Sequence, residues 1–122
     1  MIQTDDTIVK ETYEAGEMIF SEGDLESHFY IVETGIVQIF TTNDKGERLP
    51  IIQISDGESF GEFALLDNKP RSASAQAIIE VHLVRVSEEG FRQLMEEIPV
   101  WASSMMKSFV DRLKNLTTKL KG

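Results

Sequence analysis

Between Tyr13 and about Val86 the apolar residues come in short runs separated by clusters of Gly, Asp and Asn. That rhythm predicts many short strands joined by turns. The runs place strands over residues 17–20, 29–34, 36–41, 49–54, 74–79 and 82–86. Between them, Glu22-Gly23-Asp24, Asn43-Asp44-Lys45-Gly46 and Ser55-Asp56-Gly57 have turn chemistry: Gly accepts positive φ, and Asp and Asn side chains bond their own backbone. The clearest hairpin is the one around Asn43 to Gly46.

The pattern changes period after Val86. Ser87 is placed to cap a helix that opens on Glu88-Glu89, an acidic turn suited to the positive end of the helix dipole, and runs to about Glu97. Pro99 then opens a second helix of about five turns. On it Trp101, Met105, Phe109, Leu113, Leu116 and Leu120 recur at spacings of three and four, which makes one apolar stripe. The stripe needs cover, either from the β surface of the same chain or from the same helix of a second copy in a two-fold homodimer.

Composition narrows the functional classes. The chain has 122 residues, 41% hydrophobic and 27% charged, which suits one folded domain and disfavours disorder or low-complexity structure. A formal charge of -9 repels phosphate backbones and anionic lipid at long range. No helix-turn-helix pattern follows the long helix, so neither direct nucleic-acid contact nor membrane binding is expected, and any bound phosphate needs a local cation. There is no cysteine, and the two histidines sit apart, His28 in an expected turn and His82 in an expected strand. A metal centre, and the metal-dependent enzymes built on small β-barrels, are therefore not expected. The first residues lack the basic start and apolar core of a signal peptide, and no run approaches the roughly 18 apolar residues of a membrane span. The expected location is cytoplasmic.

Candidate chemistry is concentrated in Phe60-Gly61-Glu62-Phe63-Ala64-Leu65-Leu66-Asp67-Asn68-Lys69-Pro70-Arg71-Ser72-Ala73. Gly61 lets a ligand approach the backbone, and a short helix over 61–66 would aim free N–H groups at an anion. Arg71 can fork two phosphate oxygens. Glu62 accepts hydrogen bonds only, which suits a sugar hydroxyl. An acid for a ribose and a base for a phosphate together describe a nucleotide. The competing reading pairs Glu62 with Arg71 in an ion pair across the loop.

This segment resembles the phosphate-binding cassette of the cyclic-nucleotide-binding family, to which catabolite activator proteins, protein kinase A regulatory subunits and cyclic-nucleotide-gated channels belong. The family pattern is Phe-Gly-Glu-(apolar)-Ala-Leu followed by Pro-Arg-(small)-Ala, and every position is present at 60–65 and 70–73. The resemblance extends upstream through Gly16 to Asp24 and Phe29 to Val37, and downstream through Phe91 to Leu94, Pro99, and Arg112 with Leu113. It covers about 110 residues.

The resemblance implies a mostly β fold: a cyclic-nucleotide-binding β-roll, jelly-roll-like, over about 13–86. A short cassette helix and two closing helices, at about 88–97 and 99–120, complete one domain across 1–122. It implies that cAMP or cGMP is the ligand, with Glu62 on the ribose 2′-hydroxyl and Arg71 on the cyclic phosphate. Phe60 opens the cassette, and the backbone around Gly61, Phe63, Ala64 and Ser72 takes the remaining oxygens, helped by the Ser72 hydroxyl. Ser72 is compatible with either base. Where bacterial activators carry a Thr-Ser pair reaching the purine, counting from Pro99 gives Leu116 and Thr117. The functional expectation is a sensory module that performs no chemistry and moves its C-terminal helices on binding. The alternative is a ligand-free scaffold acting through the helix stripe.

Overall fold

In the computed structural model of the chain the described residues are 8–62 and 69–121, without the side chains of Val110, Leu113, Lys114 and 116–121. Among the described residues eight strands precede two helices: β1 (Ile8–Tyr13), β2 (Met18–Phe20), β3 (His28–Thr34), β4 (Ile36–Thr42), β5 (Arg48–Ser55), β6 (Ser59–Phe60), β7 (Ser74–Ala77), β8 (Val81–Ser87), α1 (Glu88–Glu97) and α2 (Val100–Lys121). The short helix expected over 61–66 falls largely outside the described residues.

The strands form two antiparallel sheets, ordered β1-β8-β3-β6 and β2-β7-β4-β5. Alternation along each strand sends one set of side chains between them. Val32, Val81 and Leu83 from one sheet meet Val37, Ile54, Ala75 and Ala77 from the other, and Ile19, Phe20, Tyr30 and Phe60 close the same cluster. This antiparallel β sandwich with C-terminal helices is the mostly β fold that the family resemblance implies.

Several boundaries differ from the sequence reading. The strands begin at Ile8, not Tyr13. In β1 the half-buried positions alternate as Val9, Glu11 and Tyr13, and the charged residue among them hides the period. Glu11 is satisfied by the Tyr13 hydroxyl at 2.8 Å, two residues on, and by Arg85 at 3.2 Å, which is remote in sequence. β6 has two residues, too few to carry a period. His28 is the first residue of β3, opposite Ser87, and not a turn residue. β7 stops at Ala77, so Ile78 and Ile79 lie in the connection to β8 and are exposed.

The helices begin where their caps place them. Ser87, extended at φ -79° and ψ 169°, accepts the Gly90 N–H on Oγ at 3.0 Å. α1 lies over Val86 and Phe29, where Phe91 meets the Phe29 ring edge-on at 5.9 Å. Ile98 is extended, as a residue before proline prefers, and the Pro99 carbonyl accepts the N–H groups of Ala102 and Ser103 to start α2. The described part of the α2 stripe is uncovered: Trp101 is 68% exposed, and Met105 and Phe109 are also open.

Candidate functional site

Arg71 lies just before β7 on a backbone clamped to the β2–β3 turn. Its N–H donates to the Asp24 carbonyl and its carbonyl accepts the Gly23 N–H, both at 2.8 Å. The turn closes on itself, with Asp24 Oδ2 accepting the Ser21 N–H at 3.0 Å. Buried Ser74 holds the turn from below, its Oγ accepting the Glu22 N–H at 2.9 Å. A strand-to-turn junction thus fixes where the arginine side chain starts.

The side chain runs inward. Arg71 is only 6% exposed. Its Nη1 donates to the Gly61 carbonyl at 3.1 Å and its Nη2 to the His28 carbonyl at 2.8 Å. Among the described residues its carboxylate partner is Glu26, with Oε1 3.5 Å from Nη2, a long contact for a charge-assisted bond. Its buried Nε has no hydrogen-bond partner among the described residues. The guanidinium carbon sits 4.1 Å above the centre of the Phe20 ring. A buried cation normally needs a close, well-bonded anion. Here two carbonyls, a ring face and a distant carboxylate stand in for one, and the Nε donor is left over among the described residues.

Gly61 lies beside the guanidinium at φ +81°, in the left-handed region that favours glycine, and a Cβ there would lie 3.0 Å from Arg71 Nη1 and press on it. Glu62, half-buried, accepts the Ser59 hydroxyl on Oε2 at 2.7 Å. The ion pair between Glu62 and Arg71 does not form: the arginine takes Glu26, and the glutamate keeps its other oxygen without a bond among the described residues. Phe60 is buried and stacked on Tyr30, with centroids 5.1 Å apart and planes inclined by 11°. Ser72 is exposed next to Arg71. Phe63 and Ala64 lie outside the described residues, as do the side chains of Leu116 and Thr117 on α2.

Sequence reasoning missed four participants. Glu26, His28, Phe20 and Tyr30 surround the guanidinium, yet Glu26 reads as one more acid in a polar turn and the aromatics read as core. Burial pushes the Tyr30 hydroxyl up to about 12, with Glu26 adding to the shift and Arg71 opposing it. Burial also lowers His28, and the charges of Arg85 and Arg71 lower it further against Glu26 and Glu11. The folded state therefore favours neutral His28. That contribution is fully present above the ordinary value of 6.5 and is lost as pH falls below it. Thermal unfolding between pH 7.5 and 5 should accordingly show a smaller loss of midpoint in His28→Asn than in the parent. Equal losses would mean that His28 takes no part in the acid sensitivity.

No group of three or more His, Cys, Asp or Glu side chains among the described residues is placed to hold a metal. No helix among them is long and apolar enough to cross a membrane.

Residues 10–98 match the family model described as cyclic nucleotide-binding domain. The cyclic AMP receptor protein of Thermus thermophilus is 33% identical over 108 residues, 88% of this chain and 50% of that protein. A cAMP-dependent protein kinase regulatory subunit from Emericella nidulans is 40% identical over 83 residues, 68% of this chain and 19% of the subunit. The chain thus spans half or less of these relatives. Among solved structures, the half-site-occupied form of the EAL enzyme Bd1971 superposes with a TM-score of 0.82 at 32% identity, covering 91% of this chain and 99% of that one. The cAMP-bound and cGMP-bound forms of the same protein give TM-scores of 0.67 and 0.69 at 33% and 34% identity, covering 93% and 91% of this chain and 30% of theirs. By its sandwich, its cassette and its relatives, the chain belongs to the cyclic nucleotide-binding domain family.

Proposed function

We propose that this chain is a regulatory module that binds cAMP or cGMP at Arg71 and Glu62 and performs no chemistry on it. The observation that carries this reading is the buried, under-neutralised Arg71 with its unspent Nε donor. A cyclic phosphate supplies the missing charge. Glu62 takes the ribose 2′-hydroxyl on the oxygen that Ser59 leaves free. The backbone at Gly61, Phe63, Ala64 and Ser72, with the Ser72 hydroxyl, takes the remaining oxygens, and Leu116 and Thr117 face the base. That Bd1971 has been solved with each nucleotide supports keeping both ligands in view.

Signalling requires the ligand to favour one of two conformations. In this reading phosphate capture draws the cassette inward, Leu65 and Leu66 repack against Phe91 and Leu94, and α2 swings over the base. The uncovered stripe on α2 favours a second reading alongside the first, a homodimer formed through that helix, which sedimentation would register as twice the chain mass.

The direct test is a calorimetric titration with cAMP and with cGMP after denaturing and refolding to strip co-purified ligand. One nucleotide should bind, and Glu62→Ala should weaken it about tenfold through loss of a charged hydrogen bond. If neither nucleotide binds, the scaffold reading takes its place.

A further inference from the structure

Two carbonyls bond Arg71 at Nη1 and Nη2. A ring lies against the face of the guanidinium. Phe20, buried in the three-residue strand β2, places its ring face 4.1 Å beneath the guanidinium carbon. That ring is itself held on two sides, with the Tyr30 and Phe60 rings at 5.8 and 5.9 Å. Tyr30 and Phe60 in turn stack on each other. Phe20 therefore cannot swing away without disturbing the stack.

We infer that Phe20 is a positioning residue for phosphate capture, its ring fixing the plane of Arg71 so that the Nε donor stays presented to the ligand. The inference rests on the cyclic-nucleotide reading above. A cation over a desolvated ring face is attracted by the ring quadrupole, more strongly than at an exposed site. An equal attraction in the free and bound states would not change affinity, so the effect arises through preorganisation. With a weaker ring the guanidinium tips toward Glu26, the anion 3.5 Å from Nη2, and the nucleotide must undo that shift.

A core role for Phe20 makes a different prediction, because a fluorinated ring keeps its apolar volume and loses its negative face. The test places 4-fluoro- and 3,4,5-trifluorophenylalanine at position 20 and measures cAMP and cGMP affinity by calorimetry. The same replacements at Phe40, whose ring lies 4.5 Å from the Arg48 guanidinium on the other sheet, serve as the control. Affinity should fall stepwise with fluorine at position 20, reaching about tenfold for the trifluoro ring, and should stay level at position 40. A flat series at position 20 in protein that binds nucleotide overturns this inference alone. Parent protein that binds neither nucleotide overturns the functional reading and this inference with it.

Discussion

Arg71→Ala should weaken cyclic-nucleotide binding by two to three orders of magnitude, the largest effect of any single side chain in the site. Each charge-assisted bond from guanidinium to phosphate contributes about 1.5 to 3 kcal/mol, and the fork supplies two. The expected loss of affinity corresponds to about 3 to 4 kcal/mol, at the lower end of what two such bonds would give. The substitution also leaves the Gly61 and His28 carbonyls without their donor, which lowers stability by about 1 to 3 kcal/mol. Arg71→Lys separates the two consequences. A lysine keeps the charge but cannot satisfy two carbonyls and fork a phosphate at once, so it should recover only part of the affinity. Both variants would be titrated below their unfolding midpoints, with circular dichroism confirming the fold. An Arg71→Ala protein that binds within threefold of the parent would place the phosphate elsewhere.

What was legible in the sequence follows from how local each signal is. Strands β3, β4 and β5 could be read because their turns carry Gly, Asn and Asp and their apolar runs are long. The Asn43 turn is a good case: its Oδ1 accepts the N–H groups of Lys45 and Glu47 at 2.9 Å, a bond pattern that its own side chain dictates. The start of α1 was legible for the same reason, since Ser87 bonds Gly90 three residues on. β1 was not legible, because the charge of inward Glu11 is matched by Arg85, a residue 74 positions away on β8 (85 − 11). Charge inside a strand breaks the alternation that identifies it, and the compensating partner appears only after folding.

The site divides in the same way. The cassette motif identified Arg71 and Glu62 and suggested what each would bond. It could not reveal that Arg71 is held by carbonyls of Gly61 and His28, because any residue supplies a carbonyl and only the fold aims it. Nor could it separate Phe20 from an ordinary core residue, since the contact with Arg71 spans 51 positions (71 − 20). Local motifs name the groups that touch a ligand. The groups that orient them are recruited from distant strands and are visible only in three dimensions.

Outside the site, Gly35→Ala should be the most damaging single-methyl change among the described residues. Gly35 joins β3 to β4 at φ +118°, where a side chain is strained by about 1 to 3 kcal/mol. The space is closed as well: a Cβ would sit 2.7 Å from the Glu80 carbonyl oxygen, 2.7 Å from Val81 Cγ2 and 2.8 Å from Val81 Cα. Two of those atoms are backbone at the start of β8, and Val81 is fully buried, so neither can give way cheaply. Strain and overpacking together come to about 4 kcal/mol, a large share of a typical domain's stability of about 5 to 15 kcal/mol. For a chain of this length the unfolding midpoint should drop by about 15 °C. Gly46→Ala is the matched control, since φ there is +82° but nothing lies within 4 Å of the added carbon. It should cost only the strain of the left-handed region, about 1 to 2 kcal/mol and so about 4 to 8 °C. Similar midpoints for the two variants would mean that the β3–β4 junction can open away from β8. A Gly35→Ala protein that melts early yet binds nucleotide normally when folded would place the junction in the scaffold, with Arg71 and its supports left to govern affinity.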